Sequence, residues 1–385
     1  MKHKFSIFCL LVALCAGSAS AQVAYVYVPT NHGIFAYDAT SAGKLTLIKG
    51  SPFTETTGLA IGTNGKYFIT VGTDWVHSYE VSSNGALGKQ VSEINTQNYG
   101  GAQCGTTSSG RINHNGVDIY VQLAGALDKD GNYVCDALQT ITISSSGVLT
   151  FKGDLEFSKG SSTEPATLPT FTGTNTYGLV LEQIPGQDED PGDLSSDFVT
   201  LQRESSGALE LAANASVTEP AGFEGAGYRP YAIAEDPTDH FAVMVQSGIG
   251  SFGCACQMAS FTMTNGKLVS TNTWKNMPDW PDTWTGPLEM SPSGKLLALG
   301  VAPGVQLYHF NGASPITAYT GIIGESGGHV GQVGWDNDNH LYAMNFSSGN
   351  LHVYTATPTS VKEAAGSPVL LPNGAVPSGL LVRAN

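Results

Sequence analysis

Short apolar runs broken by Gly, Asn, Asp and Ser follow one another along almost the whole chain. Residues 57–88 show the unit most clearly. An apolar run over 58–61 meets a turn at Asn64-Gly65, further runs span 67–71 and 75–81, and Asn84-Gly85 leads into a last one at Leu87. Such turn pairs close β-hairpins, because Asn and Gly tolerate the positive φ that a two-residue loop demands. The pattern predicts a four-stranded antiparallel meander. Its third-to-fourth turn recurs as Gly43-Lys44-Leu45, Gly85-Ala86-Leu87, Gly147-Val148-Leu149, Gly207-Ala208-Leu209 and Gly266-Lys267-Leu268, with looser versions near Gly312 and Thr359. Its first-to-second turn recurs at 64–66, 115–116, 175–176, 236–239, 291–295 and 336–339.

The two ends of the chain complete the series. Residues 23–47 offer three strands without an innermost member, and 380–382 offer one strand without its followers. Joined, they make a seventh unit. Seven units over residues 22–385 average about 52 residues, close to known blade periods of 40–50 plus loops. The fold class is therefore all-β: a seven-bladed β-propeller closed by N- and C-terminal strands in one blade. A pair of β-sandwiches uses strands of similar spacing, but it leaves the orphan strand at each end unexplained.

The first residues break the pattern. Lys2 and Lys4 precede an apolar run over 5–16 and a small-residue site at Ala19-Ser20-Ala21, which is the layout of a cleaved secretory leader. Residues 1–21 are thus expected to be a signal peptide and 22–385 the propeller. Cys15 would suit lipid attachment only if a small residue preceded it, and Leu14 stands there. No later run approaches the roughly 20 apolar residues of a membrane helix. The expected location is secreted or periplasmic, with no membrane partner.

Composition narrows the partners. The chain of 385 residues has 32 Asp+Glu against 17 Lys+Arg, a formal charge of −15, and only 13% charged residues. It lacks the basic footprint that a phosphate backbone requires, so nucleic acid is not an expected partner. A closed ring of tight turns leaves no long sheet edge to template association, which makes a monomer the default.

Turns in a meander alternate between its two ends. One face of the ring then carries the tight turns, and the other carries the irregular segments 89–110, 124–136, 153–168, 183–196, 214–228, 246–256, 273–285 and 321–329. Long loops on a rigid scaffold are where binding and chemistry concentrate. Cys104, Cys135, Cys254 and Cys256 all fall there, and an even number of cysteines in an exported chain reads as disulfide before metal. Cys104 and Cys135 lie on neighbouring loops of one blade and are expected to pair. Cys254-Ala255-Cys256 could close a small ring, stay free or act in redox chemistry; its spacing fits no zinc site.

Three groups could carry chemistry. Trp274, Trp280 and Trp284, interleaved with Pro278, Asp279, Pro281 and Asp282, offer flat apolar rings beside acceptors, which suits stacking against a sugar. The plainer alternative is that they cover the core. Arg111, Arg229, Glu289 and His329 lie within or at the start of inner strands of different blades. Near one mouth of the channel they could hold a carboxylate or lactone oxygen and activate water, or simply pair with one another. Asp188, Glu189, Asp190 and Asp193 supply enough oxygens for calcium, although a charged loop is usually only solvated. Accordingly no metal or other cofactor is assigned.

Three repeat segments, Tyr231-Ala-Ile-Ala-Glu-Asp-Pro-Thr-Asp-His-Phe-Ala-Val-Met-Val245, Met290-Ser-Pro-Ser-Gly-Lys-Leu-Leu-Ala298 and Leu59-Ala-Ile-Gly-Thr-Asn-Gly-Lys-Tyr-Phe-Ile-Thr70, resemble the blade unit of seven-bladed lactonase-like propellers. That family includes 6-phosphogluconolactonase and the fungal carboxymuconate cyclase. The likeness spans the mature chain but is carried by blade-building residues, so it implies fold before activity. Family enzymes often begin an inner strand with Arg-His and close the second strand with Glu. Here Arg229 fits, Pro230 stands in place of the His and Gln246 near the Glu.

The expectation is an exported lactonase-like propeller that binds a small carbohydrate-like or lactone ligand on its long-loop face, with hydrolysis through Arg111, Arg229, Glu289 and His329 as the enzymatic version. The alternative is a non-catalytic propeller that recognises a glycan or protein at the cell envelope.

Overall fold

A computed structural model describes residues 21–56, 58–99, 104–125, 135–159, 164–165, 167–183, 196–221, 229–248, 254–281 and 285–385. They form seven antiparallel blades around a central channel. The inner strands are Leu59–Thr63, Gly105–Ile112, Thr170–Phe171, Arg229–Glu235, Thr285–Met290, Val330–Trp335 and Leu381–Ala384, and they number blades one to seven below.

Blade seven is the joint between the ends. Leu381–Ala384 lies innermost, followed by Gln22–Thr30, Gly33–Thr40 and Leu45–Leu47. The inner pair runs antiparallel with Val26 opposite Val382. The chain therefore closes its ring as the orphan strands predict.

Alternation along each strand decides how blades pack. In Asp118–Gly125, Ile119 and Val121 enter the cluster shared with blade one, while Tyr120 between them enters the cluster shared with blade three. The middle strands of a blade are sandwiched, so both of their faces must be apolar. Seven apolar clusters result, one between each neighbouring pair of blades. The ring has no single centre of burial.

The repeated Gly of the third-to-fourth turn answers two demands. Gly85 adopts φ of 78°, which L side chains resist. A Cβ there would also sit 2.3 Å from the ring of Tyr25 in the preceding blade. Gly147 meets Tyr67 in the same way at 2.5 Å. The tyrosines use this proximity, since Tyr25 Oη donates to the Ser83 carbonyl at 2.6 Å and Tyr27 Oη to that of Gly85 at 2.9 Å.

Three blades depart from four strands. Ser216–Thr218, expected within a link, adds a parallel strand to the outer edge Lys267–Val269 of blade four. Short strands at Glu164–Pro165 and Val369–Leu370 extend blades three and six. The segment expected to be a loop over 153–168 is strand as far as Lys159, because Leu155 and Phe157 pack against the cluster between blades two and three.

Between blades six and seven a buried polar knot adjoins the apolar cluster. Asp336 accepts from the backbone N–H groups of Asp338 and His340, from the His340 ring at 2.8 Å and from Tyr342 Oη at 2.8 Å. His340 also reaches the Ser41 backbone of blade seven. Burial opposes ionisation of Asp336, yet hydrogen bonds from His340 and Tyr342 outweigh it and hold the carboxyl below its usual range. The same bond pushes the His340 imidazole up. The sign follows for each partner. The Asp336 contribution is present above about pH 4 and fades as pH falls through its lowered value. That of His340 is full below about pH 6.5 and fades as pH rises through its raised value. Asp336→Ala removes the acceptor of four donors and is expected to cost about 3–5 kcal/mol, measured as a lower denaturant midpoint at pH 6.

Candidate active site in the central channel

Segments from all seven inner strands surround a cavity of about 570 Å³ on the channel axis. All inner strands run from the long-loop face to the tight-turn face. Five of them carry a register shift midway, between Ala60 and Gly62, Thr107 and Ser109, Pro230 and Ala232, Thr285 and Leu288, and Val330 and Gln332. A bulge re-aims the side chains beyond it. Arg111, Glu235 and Glu289 all lie on the tight-turn side of these bulges.

Arg111, Thr170 and Glu289 occupy equivalent places, two residues before the first-to-second turn of blades two, three and five. Blades one, four and six carry Gly62, Ala234 and Gly334 there. One residue nearer the turn the blades carry Thr63, Ile112, Phe171, Glu235, Met290 and Trp335. Arg111 Nη2 binds Glu235 at 3.0 and 3.3 Å, and Nη1 donates to the Thr170 hydroxyl at 2.8 Å. The Arg111 side chain, 34% exposed, lines the cavity, and Glu235, 21% exposed, holds it from behind that lining.

Glu289 stands within the field of this pair. Burial pushes its carboxyl up to about 7, Arg111 pulls it down and Glu235 pushes it up again. Near neutral pH it can therefore take or give a proton, as a general acid or base must. Arg111 is held in its charged form, chiefly by Glu235. Together they offer hydrogen-bond donors and a tunable proton acceptor in one cavity.

The four residues expected to converge do not. Arg229 opens its inner strand at the long-loop end and pairs with Gln246; its side chain lies outside the described residues. Six residues on, at roughly 20 Å by strand rise, Glu235 meets Arg111. His329 precedes Val330–Trp335, and Trp335 at the far end of that strand donates to the Glu289 carbonyl at 3.4 Å. His329 Nδ1 lies 3.2 Å from Ser347 Oγ instead. So Arg111 and Glu289 share the channel, whereas Arg229 and His329 mark its opposite end. Glu235 and Thr170 were not anticipated. The available signal for Glu235 was its place: a lone charge in a register otherwise filled by Thr63, Ile112, Phe171, Met290 and Trp335.

The aromatic link is also divided. Trp280 is buried at 5% exposure in the cluster between blades four and five, stacks on Tyr231 at 5.8 Å and donates its indole N–H to the Gln257 carbonyl. It therefore builds the core and offers no open platform. Trp280→Ala is expected to lower stability by about 3–5 kcal/mol, read from the unfolding midpoint. Trp274 is 43% exposed, with the Lys275 ammonium 5.6 Å from its ring. Trp284 lies outside the described residues.

Cys104 and Cys256 are disulfide-bonded. They belong to different core clusters, so they do not bond each other. The side chains of Cys135 and Cys254 lie outside the described residues, and the Cys104–Cys135 pairing stands as an expectation. Asp188, Glu189, Asp190 and Asp193, named for calcium, are likewise outside them, as is the leader over 1–20. Among the described residues no cluster of His, Cys, Asp and Glu is arranged to hold a metal ion.

No family model and no curated protein matches the chain. Solved structures do. A candidate 6-phosphogluconolactonase from Bacteroides fragilis is 14% identical, with a TM-score of 0.61 over 94% of this chain and 98% of its own. A second, from Bacteroides uniformis, is 12% identical with a TM-score of 0.62 over 94% and 99%. The periplasmic gluconolactonase of Pseudomonas aeruginosa is 13% identical with a TM-score of 0.61 over 94% and 99%. At these identities the likeness lies in the seven-bladed fold, the one that the sequence repeats imply.

Proposed function

We propose that the protein is a lactonase-like propeller whose central channel binds and opens a small sugar-type lactone. The observation that carries this reading is Glu289, with its carboxyl near 7, lining the same cavity of about 570 Å³ as Arg111 and within reach of its charge. Ionised Glu289 would take a proton from water as the water oxygen attacks the lactone carbonyl carbon. The carbonyl oxygen, gaining negative charge, would receive N–H bonds from Arg111. Collapse then breaks the ring ester bond, and the proton held by Glu289 passes to the departing ring oxygen.

The leader-like residues 1–21 and the periplasmic name of one similar structure support work outside the cytoplasm. Within this reading the long-loop face serves as the entrance, and the chemistry moves down the channel. Glycan recognition through the 274–284 segment would rest, among the described rings, on Trp274 alone. Hydrolysis of glucono-δ-lactone, followed by pH-stat against the uncatalysed rate, tests the enzymatic reading. No excess over the uncatalysed rate would end it.

A further inference from the structure

The charge balance of the channel bears on its substrate, and the argument rests on the lactonase reading above. Arg111 is the only cation that lines the cavity among the described residues, and its charge is already matched by Glu235 across the 3.0 Å contact. Its donors are not exhausted, however. A guanidinium has five N–H groups; Glu235 takes those of Nη2 and Thr170 one of Nη1. The Nε–H and the second Nη1–H are not engaged by the described residues. Such a group can polarise a neutral carbonyl but adds little net attraction for an anion. Glu289 contributes a second carboxylate, so the site is neutral with Glu289 protonated and negative with it ionised. The chain around it carries −15, which weakens any long-range pull on anions.

We infer that the channel selects by charge: it takes uncharged lactones, turns away their phosphorylated counterparts and expels the hydroxy-carboxylate that hydrolysis makes. Substrate enters neutral and meets no repulsion. Ring opening creates a carboxylic acid that loses its proton to bulk water, and the resulting anion then faces the Glu289 carboxylate and an Arg111 whose charge Glu235 already matches. Glu235 is on this account a specificity residue, acting through Arg111. The repulsion is partly screened by salt.

The test compares glucono-δ-lactone with 6-phosphoglucono-δ-lactone at pH 7 and low salt, in the wild type and in Glu235→Gln, with gluconate as product inhibitor. The wild type should favour the neutral lactone by about 100-fold or more in kcat/KM, a preference that shrinks in high salt. Gluconate should inhibit it weakly. Glu235→Gln frees the Arg111 charge, so gluconate inhibition should tighten about tenfold and the preference should narrow. Equal turnover of the two lactones, or unchanged gluconate inhibition in a folded Glu235→Gln protein, overturns the inference. If neither lactone is opened, the lactonase reading has failed separately. Calorimetric titration of the wild type with glucose and glucose 6-phosphate then decides charge selection: binding of glucose alone upholds it, and binding of the phosphate ester or of neither sugar overturns it.

Discussion

Replacing Glu289 by Gln is expected to lower lactone hydrolysis by about 10²–10⁴-fold, the range a positioned general base supplies. Wild-type kcat/KM should rise with pH through about 7 and level off above it, because the carboxylate is the working form and burial holds its carboxyl near that value. The rising limb should vanish in the variant. The same substitution should stabilise the fold. An unfolded Glu gives up its proton near 4.5, whereas the folded one keeps it to about 7, so wild-type stability falls as pH rises across that window. Gln escapes this cost. With allowance for water in the lumen, the gain above pH 7 is on the order of 1 kcal/mol. An inactive variant with a raised unfolding midpoint at pH 8 separates lost chemistry from lost structure; unchanged activity would remove Glu289 from the reaction.

Why Glu289 was legible and Glu235 was not has a physical basis. Turn glycines such as Gly85 and Gly147 are fixed twice, by positive φ and by the tyrosine ring of the neighbouring blade, so the blade period stands out in the sequence. Polar residues inside inner strands are conspicuous against that period, which exposes Arg111 and Glu289. Glu235 sits beside the Asp236-Pro237 turn, where acidic residues are ordinary, and only the register across blades sets it apart. Depth is harder to read. Arg229 and Glu235 share one strand yet stand at its opposite ends, because six residues of strand cover most of the channel's length. The place of Trp280 is hard to read for a related reason. A ring between prolines looks presented to solvent until the neighbouring Tyr231 and Gln257 close over it.

Deleting residues 381–385 is expected to abolish cooperative unfolding altogether. The inner strand of blade seven pairs Leu381 with Tyr27, Val382 with Val26, Arg383 with Tyr25 and Ala384 with Ala24. Its loss would bare an edge at the centre of the ring. Val382 also packs between blades six and seven and Leu381 between blades seven and one, so two of the seven interfaces would lose a member at once. A closed ring has no partner to take up the slack, and a gap of one strand is larger than the 5–15 kcal/mol margin of a typical domain tolerates. A bared inner edge further invites pairing between copies. The expected product is insoluble, or soluble with a broad, low-amplitude melt by circular dichroism. The converse construction should fold. The Asn385 amide donates to the Val23 carbonyl at 3.0 Å, so a short Gly-Ser linker can join residue 385 to residue 22. Cutting this circular permutant at the Asn64-Gly65 turn moves the termini to a tight turn of blade one and leaves every blade complete. A sharp wild-type-like transition in the permutant, set against its loss in the truncation, would locate the ring's integrity in that shared blade. A truncated chain that melts as cooperatively as the wild type would show that the other six blades hold the ring without it.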